Sequence, residues 1–288
     1  MKKLSINKEL FGNIPGISAF FGDKPGKTSI IMAGNHGNEV CGINVFNDLI
    51  PHFSINSGTV ILVYGNLKAI EKNTRFTEFN LNRAFNPCST YSKEIKKTYE
   101  YKRAQELKKI FNMGDALLDI HSTTNPGEPF IVTENNAFEI ISNFPNEFKR
   151  IVYGFDAIEP GASDGYMLSK NKIGICIECG QHNSIHSAEV AKKAIFSFLN
   201  SRGHLNSLDN KKETARKRKM IKMNSIYHTR TDSFELSKDF FDFEKIKKNS
   251  LIGIDGGAKV LAPYDCVIVF AHNRDKKGEE GFLLGHEI

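Results

Sequence analysis

The chain of 288 residues predicts an α/β fold, a mostly parallel mixed sheet flanked by helices, with a small β domain at its C-terminal end. Three observations lead there. Short apolar runs alternate with stretches of helical apolar spacing through residues 28–200, and such alternation builds parallel sheets because each crossover helix covers a sheet face. The apolar runs are rich in Val, Ile and Leu and are bounded by Gly, Asn and charged residues, as buried strands are. After Gly203 the texture turns polar and basic, then gives short apolar runs broken by Gly and Pro.

Taken in order, Thr28–Ala33 (TSIIMA) reads as a buried strand, and Val40–Ile50 (VCGINVFNDLI) follows with helical spacing. Thr59–Tyr64 (TVILVY) is a strand by its β-branched content. Lys93–Met113 reads as one long amphipathic helix, with Ile95, Tyr99, Leu107, Ile110 and Phe111 near one side. Ala116–Ile120 (ALLDI) and Ile173–Ile177 (IGICI) are strands, with shorter ones at Phe130–Val132 and Ile151–Phe155. Ser187–Asn200 is a helix with Ser187 as N-cap, Glu189 in the first turn and Val190, Ala194 and Phe198 along one face. The boundaries drawn are 1–205 for the α/β domain, 206–220 for a basic linker and 221–288 for the small β domain.

Composition narrows the function classes. Hydrophobic residues make up 40% and charged residues 25%, ordinary globular usage that allows a large core. No run approaches the ~18 uninterrupted apolar residues of a membrane span, so no membrane partner is expected. The start, MKKLSINKELFGNIPGISAF, opens with two lysines but has no apolar stretch or cleavage site of a signal peptide. The cysteines, Cys41, Cys88, Cys176, Cys179 and Cys266, are odd in number and irregularly spaced, which fits free thiols in a reducing cytoplasm. The net charge of +6 comes from 39 basic and 33 acidic residues. It favours anionic ligands slightly and is not the footprint of a nucleic-acid binder. The densest basic run, Lys211–Lys219, reads as a solvated face or linker.

The chemistry gathers at strand ends, where ligands collect in open α/β sheets. Thr28–Ala33 runs into Gly34-Asn35-His36-Gly37-Asn38-Glu39, Ala116–Ile120 ends at His121, and Ile173–Ile177 ends at Glu178. The segment after Thr59–Tyr64 carries Arg75, Asn82 and Arg83. His36 and Glu39 lie across a turn into a helix, and with His121 they make two histidines and a carboxylate, the donor set of a catalytic zinc with one position open. The His-x-x-Glu spacing alone also fits a hydrogen-bonded structural histidine. Glu178 ends an apolar strand, a costly place for a carboxylate unless it is paired or wet. It is placed to take a proton from water and return it to a leaving amine, or to serve as an ion-pair carboxylate. Arg75 and Arg83 suit a substrate carboxylate or a developing oxyanion, or else are surface arginines. Cys176-x-x-Cys179 lies within a strand with no second pair, which argues against a redox or zinc motif.

These segments together resemble the succinylglutamate desuccinylase/aspartoacylase family, a branch of the zinc carboxypeptidase superfamily. The matching motifs are GNHGNE at 34–39, RFTEFNLNRAF at 75–85, LLDIHSTT at 117–124 and IECG at 177–180. Residues 28–200 match well and HTRTDSFEL and VLAPYDCVIVF more loosely. The resemblance implies a zinc-carboxypeptidase-like catalytic domain whose cleft is covered by the small C-terminal domain. It implies one Zn2+ per chain on His36, Glu39 and His121, Glu178 as the group that activates water, and Arg75 as the oxyanion stabiliser. It also implies that Asn82 and Arg83 grip the amino-acid carboxylate.

The sequence departs from the pattern in three places. Asn80 stands where the family usually has Asp. Leu168 stands where aspartoacylases place an arginine for the acyl carboxylate, with Lys170 and Lys172 nearby. The segment NRDKKGEEGF shows no counterpart of a late tyrosine. Asn80 and Lys170 are therefore further candidates for substrate binding, and Leu168 points to a neutral acyl group. The expected substrate is a small N-acyl amino acid or related amide, and a homo-oligomer is compatible with the composition. A small zinc carboxypeptidase, a non-catalytic metal-binding protein and a nucleic-acid binder acting through 211–219 stand as alternatives.

Overall fold

Ile30, Ile31, Met32 and Ala33 are all buried, although their side chains alternate between the two faces of one strand. Ile31 and Ala33 join one cluster with Phe46, Leu62, Leu118, Ile177, Ala194 and Phe198, whereas Ile30 and Met32 join another with Ile61, Val63, Leu107, Phe111 and Leu117. The sheet is thus packed on both faces, and each of its buried Ile, Leu, Val, Met and Phe side chains contributes roughly 1.5–3 kcal/mol of burial.

The computed structural model describes residues 14–134, 137–206 and 217–288. The strands are β1 (Ile17–Phe21), β2 (Lys24–Ala33), β3 (Ser57–Tyr64), β4 (Ala116–Thr123), β5 (Phe130–Thr133), β6 (Arg150–Tyr153), β7 (Ile173–Gln181), β8 (Lys219–His228), β9 (Phe234–Leu236), β10 (Glu244–Ile246), β11 (Leu251–Asp255), β12 (Ala258–Leu261), β13 (Cys266–Val269) and β14 (Glu280–Glu287). The helices are α1 (Val40–Leu49), α2 (Leu67–Lys72), α3 (Tyr99–Phe111), α4 (Phe138–Ile141), α5 (Phe155–Ile158), α6 (Ser163–Leu168) and α7 (Ile185–Ser201). Among the described residues one mixed sheet has the order β1-β3-β2-β4-β7-β5-β6-β8-β14-β13-β10, and a separate antiparallel sheet has the order β12-β11-β9. The pairs β3–β2, β2–β4 and β4–β7 are parallel, as the strand–helix alternation predicts, with α1 and α7 on one face and α3 on the other.

Register places the chemistry. In the β4–β7 pair Asp119 stands opposite Cys176 and His121 opposite Glu178. On its other side Glu178 faces Phe130 of β5, which runs antiparallel. β7 therefore continues past Ile177 to Gln181, and Glu178 sits inside the strand and not at its end.

Two helix boundaries differ from expectation. The helix expected over Lys93–Met113 begins only at Tyr99. Thr98 is extended (ψ 154°), and its hydroxyl accepts from Tyr101 N, ending a separate short turn at Ile95–Lys97. Threonine is a good N-cap and a poor helix interior. The last long helix starts at Ile185 after Ser184, so Ser187 is not its cap. Ser187 is buried and donates to Gln181 O at 2.7 Å, which ties the helix to the end of β7.

The C-terminal strands continue the large sheet. β8 pairs in parallel with β6, then β14, β13 and β10 follow antiparallel. Phe130, Val152 and Cys176 pack in one cluster with Ile221, Met223, Val267, Val269 and Leu283. The loop from Phe270 to Glu279 is thereby brought over the carboxyl ends of β4 and β7. The expected basic run from Lys211 to Arg216, the core of the 206–220 linker, lies outside the described residues, as do residues 1–13.

Candidate metal centre and active site

The turn from β2 into α1 sets the first two donors. Gly34 has φ +70°, a conformation that favours glycine. Gly37 lies against the backbone of α2, where an added Cβ would stand 2.0 Å from the Ala69 carbonyl carbon. This tight approach turns His36 and Glu39 inward, and both are buried. Glu39 Oε1 is 2.7 Å from His36 Nδ1, and Oε2 is 2.8 Å from His121 Nδ1. The three residues offer ligand atoms within 4.8 Å of one another.

The outer edges of both rings are held. His36 Nε2 is 3.0 Å from Asn80 Oδ1, which also accepts from Asn82 N. His121 Nε2 is 3.1 Å from Asp119 Oδ2, which also accepts from Asn35 Nδ2 and Ser163 Oγ. Outer nitrogens that donate to these oxygens leave the inner Nδ1 atoms available to a cation beside the Glu39 carboxylate. A cation among these three groups satisfies all of them, so the donor set fits a metal ion. Burial, then the nearby Arg75, lowers the His36 pKa to about 4, which keeps that ring in the neutral, ligating form. Burial acts against the charge on His121, but Asp119 and Glu39 raise its pKa well above the usual value. Burial likewise opposes the Glu39 charge, yet His36 and His121 hold that carboxyl well below the ordinary range.

Glu178 is buried beside this set, and its Oε2 has no hydrogen-bond partner among the described residues. Burial pushes its pKa well up, Glu39 and Asp242 add to the rise, and His121 and Arg75 oppose it. Asp242, from the C-terminal region, is itself raised to about 6 by burial. Arg75 reaches in from the rim, its side chain 46% exposed, with Nη1 3.5 Å from Glu39 Oε1 and 3.4 Å from His36 Nδ1. Its loop is anchored by Glu100, which accepts from Thr77 N at 2.7 Å, from Phe79 N and from Asn66 Nδ2. Despite burial these hydrogen bonds hold the Glu100 carboxyl below its usual pKa.

A cavity of about 230 Å³ opens over the centre. His36, Glu39, His121, Glu178, Arg75, Asn82 and Arg83 all line it. The expected residues thus meet, except for two. Asn80 bonds the back of His36 and is not among the lining residues. Lys170 lies near the Tyr166 ring, 5.5 Å from its centroid, in a separate surface pocket with Lys108. Leu168 ends α6 and does not line the cavity, and Lys172 Nζ donates to Asn112 O at 2.7 Å. α6 and the turn after it carry these three residues. The inference from Leu168 to a neutral acyl group therefore has no footing in the cavity.

Sequence reasoning missed several cavity residues. Arg83 is already engaged: Nε donates to Glu159 Oε1 at 2.8 Å and Nη2 to Glu280 Oε1 at 3.0 Å. Phe270, His272, Arg274, Glu280 and Leu283 reach the cavity from the C-terminal region. Their positions follow from long-range strand pairing, which leaves no local signal. Asp119 did carry one, since strand alternation puts it on the face of His121.

A sequence model of the succinylglutamate desuccinylase/aspartoacylase catalytic domain matches residues 25–202. The chain is 34% identical over 117 residues to an aspartoacylase of Danio rerio, a match that spans 37% of each protein. It is 22% identical over 306 residues to a succinylglutamate desuccinylase of Pseudoalteromonas atlantica, covering 93% of this chain and 84% of that one. The solved structure of a succinylglutamate desuccinylase from Vibrio parahaemolyticus superposes with TM-score 0.76 at 16% identity, covering 95% of this chain and 86% of the other. That last likeness is one of fold.

Proposed function

Because this chain belongs to the succinylglutamate desuccinylase/aspartoacylase family, we propose that it is a zinc-dependent hydrolase that splits the amide bond of a small N-acyl amino acid. The observation that carries the reading is the buried His36–Glu39–His121 set with Glu178 directly across from His121 on the neighbouring strand. Two histidines and a glutamate form a known catalytic zinc donor set. Zinc held by these residues supplies Lewis acidity toward a carbonyl and makes water a stronger acid.

The protein's own groups do the rest. Glu178 takes a proton from the attacking water and delivers it to the departing amine nitrogen, and its raised pKa suits both halves of that task. Arg75 donates to the carbonyl oxygen as negative charge develops there. Asn82 and Arg83 orient the amino-acid part through its carboxylate. Asn80 holds the ring of His36 in register and serves the metal site and not the substrate.

Residues 1–205 act in this reading as the catalytic domain and 221–288 as the domain that covers the cleft. The lining by His272, Arg274, Glu280 and Leu283 supports that division of labour. Among the described residues no helix is long and apolar enough to cross a membrane, and all five cysteines are free. The free cysteines support a reducing, cytoplasmic setting. The test is metal content and turnover together. Purified protein is expected to hold about one zinc per chain and to hydrolyse members of an N-acyl amino acid panel, and His36→Ala or His121→Ala should remove the metal. Unchanged zinc in both variants would refute the site.

A further inference from the structure

One part of the cavity wall is apolar and is assembled from separate elements. Val132 on β5, Cys176 on β7 and Leu283 on β14 line the cavity, with Phe155 at the start of α5 and Phe270 just after β13. Val132, Cys176 and Leu283 belong to one buried cluster. Phe155 and Phe270 pack against that cluster and stay half-buried, their rings 6.4 Å apart with the planes at 43°.

The position of Phe270 is enforced. Its φ is +54°, a left-handed backbone that is costly for a bulky residue and recurs at functional sites. Its N donates to Asp242 Oδ1 at 2.8 Å, and its ring lies 5.9 Å from that of Phe130. Phe155 follows Gly154, which is also left-handed (φ +86°) and whose N donates to Glu134 Oε1 at 3.0 Å. Filling a core does not call for a strained aromatic at a cavity wall.

Strand order says which half of a substrate meets this wall. The sheet runs β2-β4-β7-β5-β6-β8-β14 across the site. His36 and Glu39 follow β2, His121 is on β4 and Glu178 is on β7. Val132, Phe155 and Leu283 come from β5, the end of β6 and β14, beyond Glu178 from the metal donors. Arg83 is clasped by Glu159, after α5, and by Glu280, on β14, so it stands on that same side. The cations here are already met. Glu159 and Glu280 hold Arg83, and Glu279, Glu280 and Asp275 act on Arg274. An acidic side chain entering this region gains little, whereas an apolar one sheds its water against Phe155, Phe270 and Leu283.

We propose that Phe155, Phe270 and Leu283 form a subsite for a large apolar side chain on the amino-acid half of the substrate. The proposal rests on the deacylase reading, in which Arg83 holds the carboxylate of that half. It makes the preferred substrates N-acyl derivatives of the phenylalanine or leucine type, ahead of those of aspartate or glutamate.

The experiment compares N-acetyl-L-phenylalanine, N-acetyl-L-alanine and N-acetyl-L-aspartate on the zinc-loaded full chain. Burial of a phenyl group supports a preference of roughly 10–100-fold in kcat/KM for the phenylalanine compound over the alanine compound. The aspartate compound should also fall below the phenylalanine compound. Phe155→Ala should lower the phenylalanine-to-alanine ratio, and Phe155→Leu should keep most of it. Calorimetry with the free amino acids gives a readout without turnover: L-phenylalanine should bind the wild type more tightly than L-alanine or L-aspartate, and Phe155→Ala should narrow the gap. A wild-type ratio near one, a preference for the aspartate compound, or equal losses on the phenylalanine and alanine compounds in Phe155→Ala overturns the proposal. Should none of the three be hydrolysed, calorimetry decides the subsite apart from the deacylase reading: tighter binding of L-phenylalanine upholds it, and equal binding overturns it.

Discussion

Glu178 and Asp164 are two buried or half-buried carboxyls whose environments raise their proton affinity, for different ends. In the proposed mechanism, replacing Glu178 by Gln removes the proton acceptor and keeps the shape, so zinc content and fold should persist while turnover falls by ~10²–10⁴-fold. A variant within a few-fold of wild type, with zinc bound, would exclude Glu178 as the base. Asp164 lines the cavity, and its pKa is lifted to about 7 by burial and then by Asp156 and Asp119. Between 3.8 and about 7 the folded protein keeps a proton that the unfolded chain has released, so this group's contribution to stability is lost as pH rises through that window. Asp164→Asn should therefore show a smaller drop in urea midpoint from about pH 5 to about pH 8 than the wild type. An unchanged difference would mean that Asp164 titrates normally. At this scale His36, Glu39, His121 and Glu178 were legible as costly polar residues at the ends of apolar runs. Glu159, Glu280 and Arg274 were not, because on a sequence they look like any solvated charge.

The element that does most for the site is the turn from Gly34 to Glu39. Gly37 packs so closely on Ala69 that a methyl group has no room. Gly37→Ala should push the turn away from α2, separate His36 from Glu39 and reduce zinc affinity, with a loss of stability at the upper end of the usual 0.5–3 kcal/mol for point changes. Zinc titration and urea unfolding would check both, and a variant with native affinity would show that the turn is freer than its contacts indicate. The parallel strands β2, β3, β4 and β7 were read correctly in position because buried parallel strands are nearly continuous apolar runs, whereas β1 was not read at all and the strand expected over Ile151–Phe155 ends at Tyr153. The helix over Lys93–Met113 was read too long. Its apolar spacing continues through Ile95 and Tyr99, and a single threonine cap ends the run where periodicity alone cannot.

On the scale of the whole molecule the large sheet passes from β6 into β8 without a break in pairing, and one apolar cluster spans the join. Sequence texture suggested a separate C-terminal β domain, and the three-stranded sheet of β9, β11 and β12 fits that expectation. The joining strands were hidden because their partners lie far away in the chain. Unfolding should accordingly be one cooperative transition, with far-ultraviolet and near-ultraviolet signals coinciding across a urea series; two resolved steps would show that the C-terminal region is energetically independent. The clasp of Glu159 and Glu280 on Arg83 joins the end of α5 to the start of β14, and it gives the cavity the character of an ion exchanger. A carboxylate arriving at Arg83 has to displace a resident glutamate, so weak acceptors are turned away by the protein's own side chains. The clasp also carries a net charge of −1 before the ligand arrives, so Arg83 exerts little long-range pull on anions.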